Sequence, residues 1–230
     1  MAKKLKSKIY ESLIVSTILE TNSKMKTLLH PSYFPSISHF VAILQAETIV
    51  FEMEDNFQKQ TNRNRTYIYS PNGIQLLNIP IKHSKTSHQK TKDIQIENDF
   101  DWQKQHFKSL EAAYRSSPFF EFFEDDFVPF FEKKHTFLMD LNFEALEIIS
   151  KCMRTKFNFE TTAEYFHEVD TNTVLDYRFL VNGKKDSSQF ETYTQVFDDK
   201  HGFINNLSIL DLLFNEGKFT VDYLKSQQLG

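Results

Sequence analysis

Hydrophobic residues fall along this chain in short blocks whose period changes from block to block, and the changes mark its elements. Lys26 to Leu29 is a brief strand-like run, ended by His30-Pro31-Ser32-Tyr33-Phe34-Pro35, where two prolines forbid regular structure. Ser36 then stands at an N-cap position, and Ile37, Phe40, Val41 and Leu44 follow at the spacing of a helix that buries one face. Thr48 to Phe51 returns to the β-branched and aromatic residues of a strand. Strand, loop, helix and strand within about 25 residues predict a βαβ unit with parallel strands and a right-handed crossover. The loop after the first strand then sits at the carboxyl edge of the sheet, where open α/β folds bind ligands.

Downstream, Thr66 to Tyr69 and Ile74 to Ile79 flank the turn chemistry of Ser70-Pro71-Asn72-Gly73, which predicts a hairpin. Asp93 to Glu97 alternates like a half-buried strand. Trp102, His106, Leu110 and Tyr114 keep helical spacing, and Ser117-Pro118 restarts the chain as a second helix. That helix carries Phe119, Phe120, Phe123, Phe127, Phe130 and Phe131 as a stripe with acids in the gaps, a core face rather than a ligand platform. Pro129 is expected to kink or divide it. Asn142 is expected to cap a third helix running to Met153.

Beyond Arg154 the periodicity weakens. Strand-like pieces remain at Phe157 to Glu160, Tyr177 to Val181 and Glu191 to Phe197, with Gly183 to Ser188 as a mobile loop, and Ser208 caps a short helix stopped by Gly217. The predicted fold is α/β: a mostly parallel Rossmann-like sheet with an N-terminal βαβ unit, a hairpin, and a helical plus small α+β C-terminal part. Residues 1–24 read as a helical extension with Ile9, Tyr10, Leu13, Ile14 and Ile18 on one side, residues 25–154 as the α/β core, and residues 155–230 as a portion packed on it.

Composition narrows the function classes. A chain of 230 residues with 40% hydrophobic content supports a full core, and a net charge of −4 argues against bulk nucleic-acid binding. The single cysteine, Cys152, lies in an apolar helical pattern, which suits a reduced compartment and a structural thiol. The apolar run Leu13 to Leu19 behind the N-terminal lysines is too short and too interrupted for a secretory signal, and no stretch approaches a membrane span, so a cytoplasmic location is expected. No metal-ligand spacing, Gly-rich phosphate loop or nucleophile elbow is present, and the sequence indicates neither a cofactor nor an oligomeric state.

One local departure from average composition carries the candidate chemistry. From Asn56 to Lys92 there is no Asp or Glu, although 31 acids spread evenly would put about five there. The same window holds Lys59, Arg63, Arg65, Lys82, Lys85, Lys90 and Lys92. Exclusion of acids suits the approach of an anion, such as a phosphate-bearing small molecule. The bland alternative pairs these cations with acids elsewhere, above all Glu52, Glu54 and Asp55 just upstream. Arg63 and Arg65 project to one face of a strand as two guanidinium forks, with Asn64 opposite. Gln58, Lys59 and Asn62 supply further donors on the preceding loop, and His83, His88, Lys90 and Lys92 lie on a second loop that could act as a lid. His88 and His106 are the candidate general bases, and a satisfied, partly buried histidine is the plainer reading of His106.

These motifs resemble a known group. Pro31-Ser32-Tyr33-Phe34-Pro35, Gln58-Lys59 with Asn62-Arg63-Asn64-Arg65, Asn72-Gly73 with Ile79-Pro80-Ile81, Lys90-Thr91-Lys92-Asp93-Ile94, Trp102, His106 and Tyr114 with Ser117-Pro118-Phe119-Phe120 are together similar to the WbqC-like family. The segment Tyr193 to Gly217 is similar to the tail of the version common in Bacteroidetes-type bacteria. The resemblance implies a transferase that modifies amino sugars carried on nucleotides for O-antigen-type surface polysaccharides, by acyl or aminoacyl transfer. A nucleotide sugar brings a diphosphate, for which Tyr33, Gln58, Lys59, Asn62, Arg63, Arg65, Lys82, Lys90 and Lys92 are the candidate ligands, with Asn64, His88 and His106 nearer the chemistry. Two alternatives stay open: a nucleotidyltransferase-like enzyme using the Tyr33 to His39 loop, and a non-catalytic anion- or RNA-binding module with Tyr67, Tyr69 and Trp102 as stacking groups.

Overall fold

The structure, a computed structural model, describes residues 25–83 and 88–229, so the predicted helix within residues 1–24 lies outside the described residues. The predicted βαβ unit forms. Strand β1 (Lys26–Leu29) leads through the proline loop into helix α1 (Ile37–Gln45) and back to β2 (Thr48–Phe51), which pairs parallel with β1 in the register Leu29↔Phe51.

The hairpin β3 (Arg65–Ser70) and β4 (Gly73–Asn78) is a separate two-stranded sheet closed by Gly73 at φ +93°, a left-handed position that suits glycine. Three helices follow: α2 (Trp102–Tyr114), α3 (Phe120–Glu132) and α4 (Leu138–Cys152). The C-terminal part supplies β5 (Phe159–Thr161), β6 (Val174–Asp176), a one-turn helix α5 (Asp198–His201), α6 (Ile209–Glu216) and α7 (Thr220–Ser226). Among the described residues no helix is long and apolar enough to cross a membrane.

The main sheet is parallel throughout, in the order β5-β2-β1-β6. Both outer strands thus come from residues after 155, and one sheet joins the two halves of the chain. From β1 the chain steps to β2 on one side, and β6 later takes the other side. The order therefore reverses at the β1/β6 boundary, the topological switch point of the fold. Leu29, Ile49 and Phe51 are buried on one face of the sheet, where Phe51 meets Phe143 of α4 edge-on at 5.5 Å and Phe143 stacks on Phe159 at 5.2 Å.

The phenylalanine stripe is core, as its period predicts: Phe120, Phe123, Phe127, Phe130 and Phe131 are buried. Several boundaries differ from the sequence reading, each for a local reason. Helix α3 runs unbroken past Pro129, because that residue lies on the solvent side, where the carbonyl it leaves unpaired, that of Asp125, also faces water. Helix α4 begins at Leu138 rather than at Asn142; the backbone N–H of Leu138 donates to Ile94 O, and Asn142 lies one turn inside with its amide donating to Arg63 O at 2.9 Å. The alternation from Asp93 to Glu97 buries Ile94 and Ile96, yet only single bridges form, from Gln95 to Phe137 and from Ile96 to Ile81, after a 3-10 turn at Thr91–Asp93. Tyr177 to Val181 is mostly a 3-10 turn that follows the strand Val174–Asp176, and Glu191 to Phe197 has no regular structure and ends in a turn.

Candidate functional site

Four strand ends meet at the carboxyl edge of the sheet. His30 follows β1, Glu52 follows β2, Thr162 follows β5, and Arg178 lies two residues past β6. Their side chains close the edge with a buried charge network. Glu52 Oε1 accepts from Thr162 Oγ1 at 2.7 Å and from Glu54 N at 2.8 Å, and Arg178 Nη1 stands 3.5 Å from Glu52 Oε2. Beside it, Arg63 Nη2 donates to Asp55 Oδ2 at 2.5 Å and lies 3.0 Å from His30 Nε2. Burial, then the neighbouring Arg63 charge, hold His30 well below the usual histidine range, so it is neutral.

One open cavity lies between the loop after β1, the hairpin and the chain after β6. It is a cleft of about 460 Å³. One wall is the hairpin, through Arg65, Tyr67 and Ile74; the opposite wall comes from Asn182 to Gln189 and from Asn205 and Asn206; Ser36 and Ser208, at the starts of α1 and α6, line its floor. The two helix starts are tied together, because Ile37 N donates to Leu207 O at 3.0 Å and Ile209 N to Pro35 O at 2.8 Å.

Asp186 is the one acid among the described lining residues. Its Oδ2 accepts from Ser38 Oγ at 2.5 Å and from Asn206 Nδ2 at 2.6 Å, and its Oδ1 accepts from Ser188 N at 3.0 Å. Asn206 also accepts from Ser38 N at 2.9 Å, and Asn205 bridges Ser188 O and Phe190 N. Hydrogen bonds within the protein thus hold the Asn205 and Asn206 amides of this wall in place. Arg65 stands at the hairpin side with its Nε donating to Asn78 Oδ1 at 3.1 Å, and Lys184 at the loop side. Among the described residues no carboxylate is within ion-pair distance of either cation.

Of the residues singled out in the sequence, Asn62 and Arg65 line this cleft, with Tyr67 beside them. The others lie elsewhere. Arg63 is 1% exposed and committed to Asp55, so the two arginine forks do not stand side by side. Asn64 is buried and donates to Ile79 O at 2.9 Å, fastening the base of the hairpin. Lys90 Nζ donates to Glu54 O, and Lys92 Nζ pairs with Glu54 Oε1 at 2.5 Å. Gln58, Lys59, Lys82 and His88 are exposed and do not line the cleft. Tyr33 is wholly buried, with its hydroxyl 2.9 Å from His106 Nδ1; burial pushes the Tyr33 hydroxyl up and holds His106 down at about 4, the satisfied neutral histidine of the plainer reading.

The expected convergence of the basic window thus does not occur. Glu54 and Asp55, immediately before the window, engage Arg63, Lys90 and Lys92, and among the described residues Arg65 is the one cation of the window that lines the cleft, Lys85 lying outside the described residues. The residues missed by sequence reasoning are Asn182, Lys184, Asp186, Gln189, Asn205 and Asn206, more than a hundred positions further along. Their signal was present in the polar run Asn182 to Gln189 and in the Asn205-Asn206 pair just before the Ser208 cap.

An α/β protein with a preorganised polar cleft at its switch point is the class this architecture defines. The chain belongs to the WbqC-like protein family, which it matches over residues 30–185, and these include both Arg65 and the loop up to Lys185. It is also similar to a protein of Mycobacterium tuberculosis described as uncharacterized protein Rv1507c, with 25% identity covering 88% of this chain and 98% of that one. No solved structure matches it.

Proposed function

We propose that the protein is a transferase acting on a nucleotide-linked amino sugar, of the kind used for O-antigen-type surface polysaccharides, and that the cleft at the switch point holds this substrate. The reaction class is transfer of an acyl or aminoacyl group to the sugar. One observation carries the reading: a single cleft offers Arg65 and Lys184 for a diphosphate and a fixed amide wall with one carboxylate for a sugar. Arginine suits phosphate through its two-pronged donor geometry, and lysine as a point charge. Amides donate and accept at once, as ring hydroxyls do, and Asp186 supplies a counter-charge for a sugar amine. Such a substrate goes with the cytoplasmic location expected from the sequence.

Two other readings find less support. In the Tyr33 to His39 loop only Ser36 lines the cleft, and His39, the residue that reading needs, is 1% exposed and held at about 4 mainly by burial, so it presents no ring to a nucleotide. An RNA platform would keep only Tyr67, since Tyr69 and Trp102 are core residues. Calorimetric titration with UDP-N-acetylglucosamine and with dTDP-sugars tests the proposal. Arg65→Ala is expected to weaken binding by about 1–3 kcal/mol, the loss of a charged hydrogen bond. Binding that is unchanged by Arg65→Ala and Lys184→Ala, or absent from the wild type, removes it.

A further inference from the structure

We infer that the outward face of the β3–β4 hairpin is a stacking platform for the nucleobase and that it accepts any base, so that selectivity resides at the amide wall. The inference rests on the nucleotide-sugar reading above. Its starting point is a local departure in β4, where Leu77 is buried inward as expected but its neighbours Gln75, Ile74 and Leu76 break the pattern. A hairpin with one solvated face should turn apolar residues inward and polar ones outward. In β4 the inward Gln75 donates to Ser109 Oγ at 3.0 Å, whereas Ile74 and Leu76 face outward with 60% and 42% of their surface exposed. Violations of a local rule that no packing explains belong at functional sites.

The register assembles the platform. Tyr67 lies opposite Leu76 and Tyr69 opposite Ile74, so Arg65, Tyr67, Leu76 and Ile74 share one face. Tyr69 is withdrawn from it, its single O–H shared between Gly202 O at 2.7 Å and Phe197 O at 2.9 Å. What remains is one half-buried aromatic ring flanked by two aliphatic side chains, an area suited to a single base. Arg65 is two residues from Tyr67 on the same strand and face, about 7 Å along it, a step that matches the offset between a base and its diphosphate. Of the three platform side chains, Tyr67, Ile74 and Leu76, only Tyr67 carries a hydrogen-bonding group, and Arg65 is assigned to the diphosphate. Stacking without edge contacts tolerates every base, because each has a π-face.

The test is calorimetric titration of the full chain with UDP, dTDP, GDP and ADP, which engage the platform and the cations but not the sugar wall. The expected result is four dissociation constants within about threefold of one another, each weakened roughly tenfold by Tyr67→Ala, with the free sugar phosphate glucose 1-phosphate unaffected by that change. Ile74→Thr with Leu76→Thr, a strand-compatible pair, serves as a second variant and is expected to weaken all four in parallel. A preference for one base by a factor of about thirty or more overturns the tolerance. Diphosphates whose affinity depends on Arg65 but not on Tyr67 overturn the platform while leaving the nucleotide-sugar reading intact. If neither the diphosphates nor UDP-N-acetylglucosamine bind, that reading fails and the inference with it. Sedimentation with anionic lipid vesicles, abolished by the threonine pair in a protein that binds no diphosphate, would assign the apolar strip to a membrane surface and overturn both.

Discussion

Arg63 and Asp55 meet at 2.5 Å through Nη2 and Oδ2, with 1% and 4% of their side chains exposed. Burial pulls the Arg63 pKa down and the Asp55 charge opposes that pull, so each ion keeps the other tolerable inside the fold. Removing one partner leaves a buried, uncompensated charge. Asp55→Ala is therefore expected to cost about 3–5 kcal/mol, read as a lower urea midpoint with an unchanged slope. Arg63→Ala should do the same. If Arg63→Ala unfolds normally and instead weakens nucleoside diphosphate binding, this pair is not the structural clamp described here.

Three buried histidines contribute to the pH dependence of stability. His39 and His106 are held at about 4, chiefly by burial, and burial and Arg63 hold His30 well below its ordinary value. A histidine whose pKa is depressed in the fold binds its proton in the unfolded chain first. Its stabilising contribution is therefore complete above about pH 6.5 and is lost as pH falls toward 4, at about 1.4 kcal/mol per pH unit for each such group. Urea titrations at pH 7, 6 and 5 should show the decline, and His106→Gln should make it shallower. A stability curve flat from pH 7 to 5 would mean that these rings take up protons in the fold as readily as in the unfolded chain.

How far the sequence could be read follows from how local each signal is. The βαβ unit, the hairpin and the phenylalanine stripe were legible because one contiguous stretch holds the whole pattern, as in Ile37-Phe40-Val41-Leu44. The start of α4 was not, because Leu138 is fixed by the carbonyl of Ile94, far away in the chain, while Asn142 looks like a cap and spends its amide on Arg63 O. The same limit governs the site. Arg65 and Asn62 were visible as donors, but composition alone cannot separate a cation that faces a cleft from one that Asp55 or Glu54 has already neutralised. Asp186 and Asn206 stood in visible polar runs, but their pairing was not legible, because their common partner Ser38 is near them only after folding.

Gly217 ends α6 at φ +54°, and a Cβ placed there would lie 2.5 Å from the Phe119 ring. Backbone strain and steric overlap act in the same direction. Gly217→Ala is expected to destabilise by about 1–3 kcal/mol, measured by thermal or urea unfolding. Phe119→Ala in the same chain should recover part of that loss by vacating the space. No recovery would show that the backbone conformation alone demands glycine.

Cys152 is pushed up to about 12, first by burial and then by the nearby Asp126 carboxylate. The nucleophile is the thiolate, so alkylation by iodoacetamide at pH 8 should run orders of magnitude more slowly than for a free thiol. Denaturation in urea should restore the ordinary rate. Rapid modification of the folded protein would contradict the structural role given to this residue.

Tyr114 links the core to the hairpin that walls the cleft. Its hydroxyl donates to Asp211 Oδ1 at 2.9 Å and accepts from the backbone N–H of Tyr69 at 3.1 Å, within β3. Asp211 is wholly buried and also accepts from Tyr193 at 2.5 Å and Gln195 at 2.8 Å, so Tyr114→Phe orphans one backbone donor and removes one of three bonds to a buried carboxyl. The expected cost is about 2–4 kcal/mol, an unpaired buried donor and a weakened carboxylate together. The loss should not be spread evenly. The Tyr69 amide sits two residues from Tyr67, and hydrogen exchange there should quicken more than in the parallel sheet, because that amide loses its only described acceptor. If instead Tyr69 keeps its wild-type protection in Tyr114→Phe, the hairpin is held by its other ties, such as Ser208 N to Tyr67 O at 2.9 Å, and the tyrosine serves the core alone.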